Sequence, residues 1–311
     1  MKSNSMINAL TIDVEEYFHP NAMDDAILPA QWDALPHRVE PNTHHILDLL
    51  SEHGVRATFF VLGWVAERWP LLVREIARRG HEVASHGHAH RLVYKQGPAE
   101  FRADVARSKR VLEDCLGAPV AGFRAASYSI ISSTTWALDI LIEEGFEYDS
   151  SISPIRHDIY GMPGFSRFPV RLRCPAGEIL EIPPSTVRLL GWNCPVAGGG
   201  YFRLLPYAVT RWSFRRIARH DGWPAMVYLH PWEFDVDQPR LRAKAISRFR
   251  QYTNLRKTEP RLRRLLREFD FAPICEVMRE YPVAAAAEVG AFTVRTGRTG
   301  TRPCEVARPA A

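Results

Sequence analysis

Residues 80–90 read GHEVASHGHAH, and this stretch determines how we interpret the rest of the chain. The segment at 82–84 is typical of a short buried strand that follows a helix ending at Gly80. His86 and His90 come next, four positions apart, and side chains at that spacing share one face of a helical turn. Both imidazoles are therefore candidates to bind one divalent cation, for which imidazole is a good ligand. The alternative is a polar loop that is merely rich in histidine.

Predicted strands and helices alternate along most of the chain, which favours a parallel α/β sheet. We predict strands at 8–14, 55–63, 82–84, 119–123, 146–148 and 225–229. We predict helices at 42–54 (with Asn42 as its N-cap), 64–79, 98–116, 133–144 and 204–220, and basic helices continuing to about residue 281. The segment 18–39 has no clear period, and we interpret it as an irregular insertion.

Unusual polar residues follow four of these predicted strands, and the active site of an α/β barrel lies at the carboxyl ends of its strands. Alternation along the first strand places its two acids on one face, which predicts that they share a site. The residues at the four strand ends are Asp13 and Glu15, His86 and His90, Arg124, and His230.

Composition is typical of a soluble globular protein, with 46% hydrophobic and 24% charged residues in a chain of 311. The net charge of +5 is diffuse, except at 240–267, where eleven Lys or Arg accompany a single acid, Glu259. A solvated helix face is the ordinary explanation of such a run. A surface that attracts anionic polymers or lipid headgroups is the sharper one.

Five scattered cysteines without a CxxC pair argue against a disulfide scaffold and against a thiolate metal site. The N-terminal residues enter a strand pattern without the apolar segment of a signal peptide. No stretch reaches the length of a membrane span. We therefore expect a cytoplasmic protein.

Four motifs together resemble those of the polysaccharide deacetylases of the NodB-homology type, carbohydrate esterase family four. They are TIDVEEYF at 11–18, SHGHAH at 85–90, GFRAASYS at 122–129 and VYLHPWEFD at 227–235. The resemblance covers about residues 8–280. It implies a distorted (β/α)7-type barrel in a single deacetylase domain at 1–283. Within that domain we expect a barrel core at 8–235 and a basic helical part at 236–283, and the composition of 284–311 indicates a disordered tail.

The acidic motif departs from the wider family, which has two adjacent aspartates. Val14 occupies the second position, and the next carboxylate is Glu15, as in the Asp-x-Asp of the peptidoglycan deacetylase and allantoinase-like branch. The resemblance then implies a metal site formed by Glu15, His86 and His90, with Asp13 as the general base. The implied metal is divalent, Zn²⁺ first, with Co²⁺, Ni²⁺ or Fe²⁺ as alternatives. A second departure is AAS after Arg124, where prolines are usual.

The remaining roles concern the leaving group and the substrate. His230 is the natural proton donor to the departing amine because its ordinary pKa lies near neutrality. Arg124 stays protonated, so we expect it to orient Asp13 by charge-assisted pairing. The resemblance implies an oxyanion hole near Ser127 and Tyr128. Other expectations are that Trp232 contacts substrate and that Asp149 tunes His230, although Asp149 is equally explained as an ordinary loop acid.

Segments 150–161 and 198–207 resemble a subgroup of deacetylases that accompany exosortase-linked exopolysaccharide clusters of Gram-negative bacteria. The implied substrate is N-acetylhexosamine in an exopolysaccharide or in its lipid-linked precursor. The implied contacts are with the exopolysaccharide machinery or, peripherally, with the inner membrane. We expect no nucleic-acid partner, and the oligomeric state stays open. The rival interpretations are an allantoinase-like cyclic-amide hydrolase and a catalytically silent carbohydrate-binding protein.

Overall fold

The computed structural model of the chain describes residues 6–24, 26–157, 160–196, 198–283 and 286–288. The strands are β1 (Ile7–Val14), β2 (Thr58–Val61), β3 (Glu82–Ser85), β4 (Gly122–Phe123), β5 (Tyr148–Asp149), β6 (Val170–Cys174), β7 (Gly177–Glu181), β8 (Thr186–Leu189), β9 (Trp192–Pro195), β10 (Met226–Leu229), β11 (Asp270–Ala272) and β12 (Ala286–Glu288). The helices are α1 (Val39–Glu52), α2 (Gly63–Arg68), α3 (Pro70–Arg78), α4 (Pro98–Leu116), α5 (Trp136–Glu143), α6 (Gly199–Leu204), α7 (Tyr207–Arg216), α8 (Ala245–Tyr252), α9 (Thr258–Glu268) and α10 (Ile274–Glu280).

One ten-stranded sheet contains every strand except the separate β8–β9 hairpin. The strand order is β10, β1, β2, β3, β4, β5, β7, β6, β12, and β11 pairs with the first residues of β1. All pairs are parallel except β6 with β7. The mostly parallel sheet with helical crossovers confirms the predicted α/β fold. Within the described ranges, the strand pairings run as an open path from β10 to β12.

The register of the parallel strands brings their carboxyl ends to one edge of the sheet. Val14 pairs with Val61, and Val61 pairs with Ser85. Ser85 pairs in turn with Phe123. The chain therefore leaves β1, β3 and β4 at the same level, which is why the polar residues that follow them in sequence can meet.

The central strands are buried on both faces, as their continuous apolar runs predict. Phe59 and Phe60 are both fully buried. Because neighbouring side chains of a strand point to opposite faces, Phe59 lies in the large core under the helices, whereas Phe60 lies in a smaller cluster with Ala84 and Met226. The second cluster therefore packs on the opposite face of the sheet from the large core.

Helix α1 begins earlier than predicted, and the reason is a tertiary contact. We expected Asn42 to be the N-cap, but the helix begins at Val39. The carboxylate of Glu16, just beyond β1, accepts hydrogen bonds from the backbone N–H groups of Arg38 (2.8 Å) and Val39 (3.0 Å). An acid at the positive end of a helix satisfies free amide donors. Here that acid comes from a distant part of the chain.

The helix predicted at 64–79 consists of two helices, α2 and α3, because of Pro70. Trp69 adopts φ −125° and ψ 60°, outside the helical region. A proline disfavours the helical conformation in the residue before it, and it begins α3 in the position that proline favours.

The histidine pair is the third correction to the predicted local structure. His86 and His90 lie on an irregular loop after β3, not on a helical turn. His90 has φ 49°, in the left-handed region, and this loop brings the two rings together with centroids 5.4 Å apart. The proximity that we expected from helical spacing is therefore present, but it arises from loop geometry.

The C-terminal part contributes to the sheet as well as supplying helices. Residues 270–272, expected to be helical, form β11 and pair with the start of β1 because Phe271 and Ala272 are buried there. The predicted disordered tail at 284–311 lies outside the described residues except for Ala286–Glu288, which form β12 beside β6; the prediction of disorder is wrong for these three. None of the helices in the described ranges is long and apolar enough to cross a bilayer.

Close packing of Tyr148 on Gly122 yields a test of the sheet. A Cβ on Gly122 would lie 2.1 Å from Cζ of Tyr148, whose hydroxyl donates to Glu82 at 2.9 Å. We expect Gly122→Ala to lower the free energy of unfolding by about 2 kcal/mol, as overpacking does. The control is Gly200→Ala, which has no atom within 4 Å of the added Cβ and should be neutral in urea denaturation. Equal stability of the two variants would contradict this packing.

Candidate active site

The carboxylate of Glu15 and the rings of His86 and His90 converge at the edge of the sheet. One ligand atom from each residue lies within 4.8 Å of the other two, and all three side chains are buried. The closest approach is 2.8 Å, between Nε2 of His90 and Oε2 of Glu15. One carboxylate and two imidazoles are a common protein ligand set for a catalytic divalent metal, which keeps a further position open for water or substrate.

The polar atoms of these three residues are arranged as a metal site requires. Oε2 of Glu15 is buried and has Nε2 of His90 as its neighbour at 2.8 Å without a well-aligned hydrogen bond between them, so both atoms are available to bind one cation. Nδ1 of His86 lies 2.8 Å from the carbonyl oxygen of Arg124. When Nδ1 of the ring donates to this carbonyl oxygen, Nε2 is left as the metal ligand. Metal-binding histidines usually donate their other ring N–H in this way. The residues therefore fit a divalent metal.

The surroundings also set the charge states of the ligands. Burial raises the pKa of Glu15, but His90, His230 and His86 outweigh burial and hold that pKa well below its usual range. Burial lowers the pKa of His86 to about 4, so its imidazole is neutral at physiological pH. An ionised carboxylate and a neutral imidazole are the protonation states that bind metal.

Asp13 lies beside the cluster and is held by Arg124. Nη1 of Arg124 donates to Oδ1 of Asp13 at 2.6 Å and to the hydroxyl of Thr11 at 2.9 Å. Arg124 is fully buried, and its guanidinium lies 4.0 Å from the centre of the Phe60 ring. The other carboxylate oxygen, Oδ2, is 3.8 Å from Nε2 of His230. The expected pairing of Arg124 with Asp13 is thus present in the structure.

His230 follows β10 and belongs to a buried chain of charged groups. Its Nδ1 lies 2.7 Å from Oε1 of Glu233, and Oε2 of Glu233 accepts from Nε of Arg203 at 2.6 Å. Arg203 is 1% exposed and also donates to the backbone carbonyls of Gln251 (3.1 Å) and Thr253 (2.7 Å). The order of contacts therefore runs from the C-terminal end of α8, through Arg203 and Glu233, to His230.

Burial disfavours the charged form of His230, but its partners reverse that effect. The hydrogen bond to Glu233 and the negative charges of Glu15 and Asp13 raise the pKa of His230 to about 9. Its Nε2 faces both acids of β1, at 3.8 Å from Asp13 and 3.7 Å from Glu15. A protonated imidazole in this position can donate a proton to a group bound beside the candidate ligands Glu15, His86 and His90.

The structure removes one of the two explanations that the sequence left open for Asp149, that it tunes His230. Among the described residues the hydrogen-bond partners of Asp149 are Ser150, Ser151 and Glu181, and the acid beside His230 is Glu233. Burial raises the pKa of Asp149 and of Glu181, which contact each other in the interior. The sequence signal for the true partner was available: Glu233 lies three residues after His230, in a turn that begins with a proline. No sequence feature marked Arg203.

The residues predicted to bind substrate have mixed placements. Ser127 and Tyr128 have φ values of 50° and 52°, and the hydroxyl of Ser127 donates to Asn21 at 2.6 Å. The backbone N–H of Tyr128 donates to the carbonyl of Ala125 at 3.1 Å. This amide is therefore engaged in the structure and does not face an oxyanion as we expected. The backbone N–H of Ser127 is the remaining candidate.

Trp232 is buried within the site. Its ring stacks on His230 with centroids 5.0 Å apart, and its indole N–H donates to Oε1 of Glu15 at 2.9 Å. In the structure Trp232 therefore contacts and orients Glu15, one of the three candidate metal ligands, whereas we expected Trp232 to contact substrate.

The fold and the site define an α/β protein with a candidate divalent-metal centre at the carboxyl ends of its parallel strands. Residues 24–144 match the family model described as "Polysaccharide deacetylase", and residues 150–279 match one described as "Domain of unknown function (DUF3473)". The first of these matches covers less than half of the chain, so it shows that residues 24–144 are similar to polysaccharide deacetylases.

Among curated proteins, the chain is 37% identical over 75 residues to a peptidoglycan-N-acetylglucosamine deacetylase of Bacillus cereus, covering 24% of this chain and 27% of that protein. It is 33% identical over 99 residues to a chitooligosaccharide deacetylase of Bradyrhizobium, covering 32% and 43%. The chain thus spans less than half the length of these relatives. Among solved structures, a Mycobacterium smegmatis protein assigned as a polysaccharide deacetylase superposes with TM-score 0.60 at 22% identity, over 97% of this chain and 96% of that one.

The indole contact with Glu15 gives a first test of the metal site. We expect Trp232→Phe to keep the stack on His230 but to weaken metal binding about tenfold or more, because the loss of groups that orient metal ligands has that effect. Competition against a chelating indicator measures the affinity. Trp223→Phe is the control, since Trp223 stacks on Phe168 instead. An unchanged affinity in Trp232→Phe would count against the indole contact.

The raised pKa of His230 gives a second test, on metal-free protein. Because this pKa rises from 6.5 to about 9 on folding, its stabilisation is complete below pH 6.5 and is lost as pH rises through 9. The full change corresponds to about 3 kcal/mol. We expect Glu233→Gln to remove most of this slope in urea denaturation between pH 6.5 and 9, because the carboxylate partner is lost. Glu178→Gln, at an exposed position of β7 where the carboxylate pairs with Arg173, should retain the slope.

Proposed function

We propose that the protein is a metal-dependent hydrolase that removes N-acetyl groups from N-acetylhexosamine units of a polysaccharide. The observation that carries this proposal is the convergence of Glu15, His86 and His90 with the Arg124-bound carboxylate of Asp13 and the ring of His230. The relatives reported above are named N-acetylglucosamine and chitooligosaccharide deacetylases. Amide hydrolysis needs a cation, a base and an acid around one point, and these residues offer that set.

Glu15, His86 and His90 would hold the cation. When bound, a divalent metal polarises the acetamide carbonyl and lowers the pKa of a coordinated water. Asp13 takes the proton of the attacking water, because Arg124 engages only its Oδ1 and Oδ2 lies on the side of His230, 3.8 Å from its Nε2. The same ion pair fixes the orientation of the carboxylate, so Arg124 acts as a positioning residue and not as a proton donor.

His230 supplies the proton that the departing amine needs. It is protonated because Glu233 and the acids of β1 raise its pKa to about 9. Glu233 accepts from both Nδ1 and the backbone N–H of His230, which holds the ring with Nε2 toward Asp13 and Glu15. Asp13 and His230 thus have opposite charges within 3.8 Å and take the roles of base and acid.

We propose further that the substrate is an exopolysaccharide or its lipid-linked precursor. The metal in this proposal is Zn²⁺, and the reaction takes place in the cytoplasm. Its support is that both segments that resemble the exopolysaccharide-linked subgroup lie beside the site. A Cβ on Gly199 would be 3.7 Å from Cε1 of His230. Tyr160 and Tyr201 line a small cavity together with Tyr128 and Tyr228, and tyrosine rings are suited to contact sugars.

Single substitutions separate the metal ligands from the base. We expect Glu15→Gln and His86→Ala to lose both bound metal and acetate release from N-acetylglucosamine oligomers. Asp13→Asn should keep stoichiometric metal and lose at least 100-fold in acetate release, since a general base contributes about 10²–10⁴-fold. Metal content by elemental analysis and acetate by coupled assay are the measurements.

Two results would change the conclusion. If wild-type protein binds metal and releases no acetate from oligosaccharides, but opens cyclic ureides, the allantoinase-like alternative is correct. If protein prepared with an excess of divalent metal binds none of it, the protein is a catalytically silent carbohydrate-binding protein with this fold.

A further inference from the structure

Helix α8 presents two large apolar side chains to solvent. Ile246 is 56% exposed and Phe249 is 51% exposed, and a spacing of three residues places them side by side. The opposite face of the helix is buried, and Gln251 there donates to the carbonyl of Tyr17 at 2.9 Å. Because the inner face is held in this way, the apolar pair is a fixed feature of the protein surface.

The charged residues that neighbour this pair in the sequence are all positive. Residues 240–258 contain seven Lys or Arg and no Asp or Glu. Arg248, exposed between Ile246 and Phe249, forms no ion pair with any residue that the structure describes, and neither does Arg242. On α9, in contrast, Arg263 pairs with Glu259 at 2.8 Å and Arg264 pairs with Glu268 at 2.8 Å. The guanidinium of Arg248 therefore stands beside the apolar pair without a counter-charge from the part of the chain that the structure describes.

A groove of about 470 Å³ opens beside the apolar pair and is lined by Arg240, Arg248, Phe249 and Tyr252 as well as Ala245. The guanidinium of Arg240 lies over the ring of Tyr252, 4.2 Å from its centre. Within the described ranges neither Arg240 nor Arg248 forms an ion pair with an acid, and a guanidinium group is a good bidentate partner for a phosphate.

Helix α8 also lies close to the candidate active site. It packs against the 3-10 helix Asn21–Met23, and the side chain of Asn21 accepts the hydrogen bond from Ser127. Through the backbone carbonyls of α8 bound to Arg203, the helix is joined to Glu233 and His230. The surface that α8 forms is thus next to the loop that follows β4.

We propose that the outward face of α8 docks the protein on an anionic phospholipid bilayer. Ile246 and Phe249 enter the interfacial region, and Arg240 and Arg248 contact headgroup phosphates. Apolar side chains flanked by arginines are the features of helices that lie in a membrane interface. A soluble polyanion would engage the arginines but would leave the apolar pair in water. This inference is independent of the proposed deacetylase activity.

Cosedimentation of the full chain with vesicles tests the proposal. We expect binding to vesicles of 30% phosphatidylglycerol in phosphatidylcholine, weak binding to pure phosphatidylcholine, and release by 0.5 M salt. The double variant Arg248→Glu with Phe249→Ser should lose about tenfold or more in vesicle affinity. One basic residue near an anionic membrane contributes about 1 kcal/mol, and the variant both reverses this charge and removes the apolar ring. Both positions are exposed, so the variant should retain the thermal stability of the wild type.

The matched control is Arg110→Glu with Leu71→Ser, which makes the same charge reversal and a comparable apolar-to-serine change on the exposed faces of α4 and α3. It should bind vesicles like the wild type. Equal loss in both double variants would show that net charge alone drives binding and would overturn the proposal. Absence of vesicle binding together with binding to soluble alginate would also overturn it, in favour of an acidic polysaccharide. Because vesicle binding requires no turnover, failure of the deacetylase assay leaves this test intact.

Discussion

Burial of carboxylates at the carboxyl end of β1 is the constraint on which the rest of the site depends. Asp13, Glu15 and Glu16 are each at most 2% exposed, and a buried charge is costly unless it is paired and hydrogen-bonded. The structure compensates each acid differently. Arg124 pairs with Asp13, the histidine loop and Trp232 surround Glu15, and the first amides of α1 bind Glu16. Four neighbouring elements are thereby tied to β1.

Glu16 shows that adjacent acids of one motif serve different physical purposes. Burial raises the pKa of Glu16 to about 7, even though it accepts hydrogen bonds from the amides of Val39 and Arg38. Its neighbour Glu15 is held in the ionised form by the surrounding histidines. The difference follows from the partners, since helix amides carry only partial charges, whereas the imidazole of His230 near Glu15 carries a whole charge when it is protonated. One acid therefore stabilises the fold, and the other is available as a ligand.

The site also joins parts of the chain that match two different family models. His86, His90 and Arg124 lie in the first matched region, whereas His230, Glu233 and Arg203 lie in the second. The ion pair between Arg203 and Glu233 is fully buried, and breaking such a pair leaves an uncompensated charge in the interior. The C-terminal helices are consequently part of the support of the proposed acid, His230, and not an appendage to the sheet.

The sequence by itself determined the α/β class, the strand ends that carry polar side chains, and the grouping of Glu15, His86 and His90, because these follow from local hydrophobic patterns and from the meeting of parallel strand ends at one edge. Only the tertiary structure decided the partners of buried charges. Glu233 replaced Asp149 beside His230, Arg203 appeared without any sequence signal, and Glu16 displaced Asn42 as the cap of α1. A buried charge must find its counter-charge in three dimensions, and the separation of the partners along the chain carries no information about which one it meets.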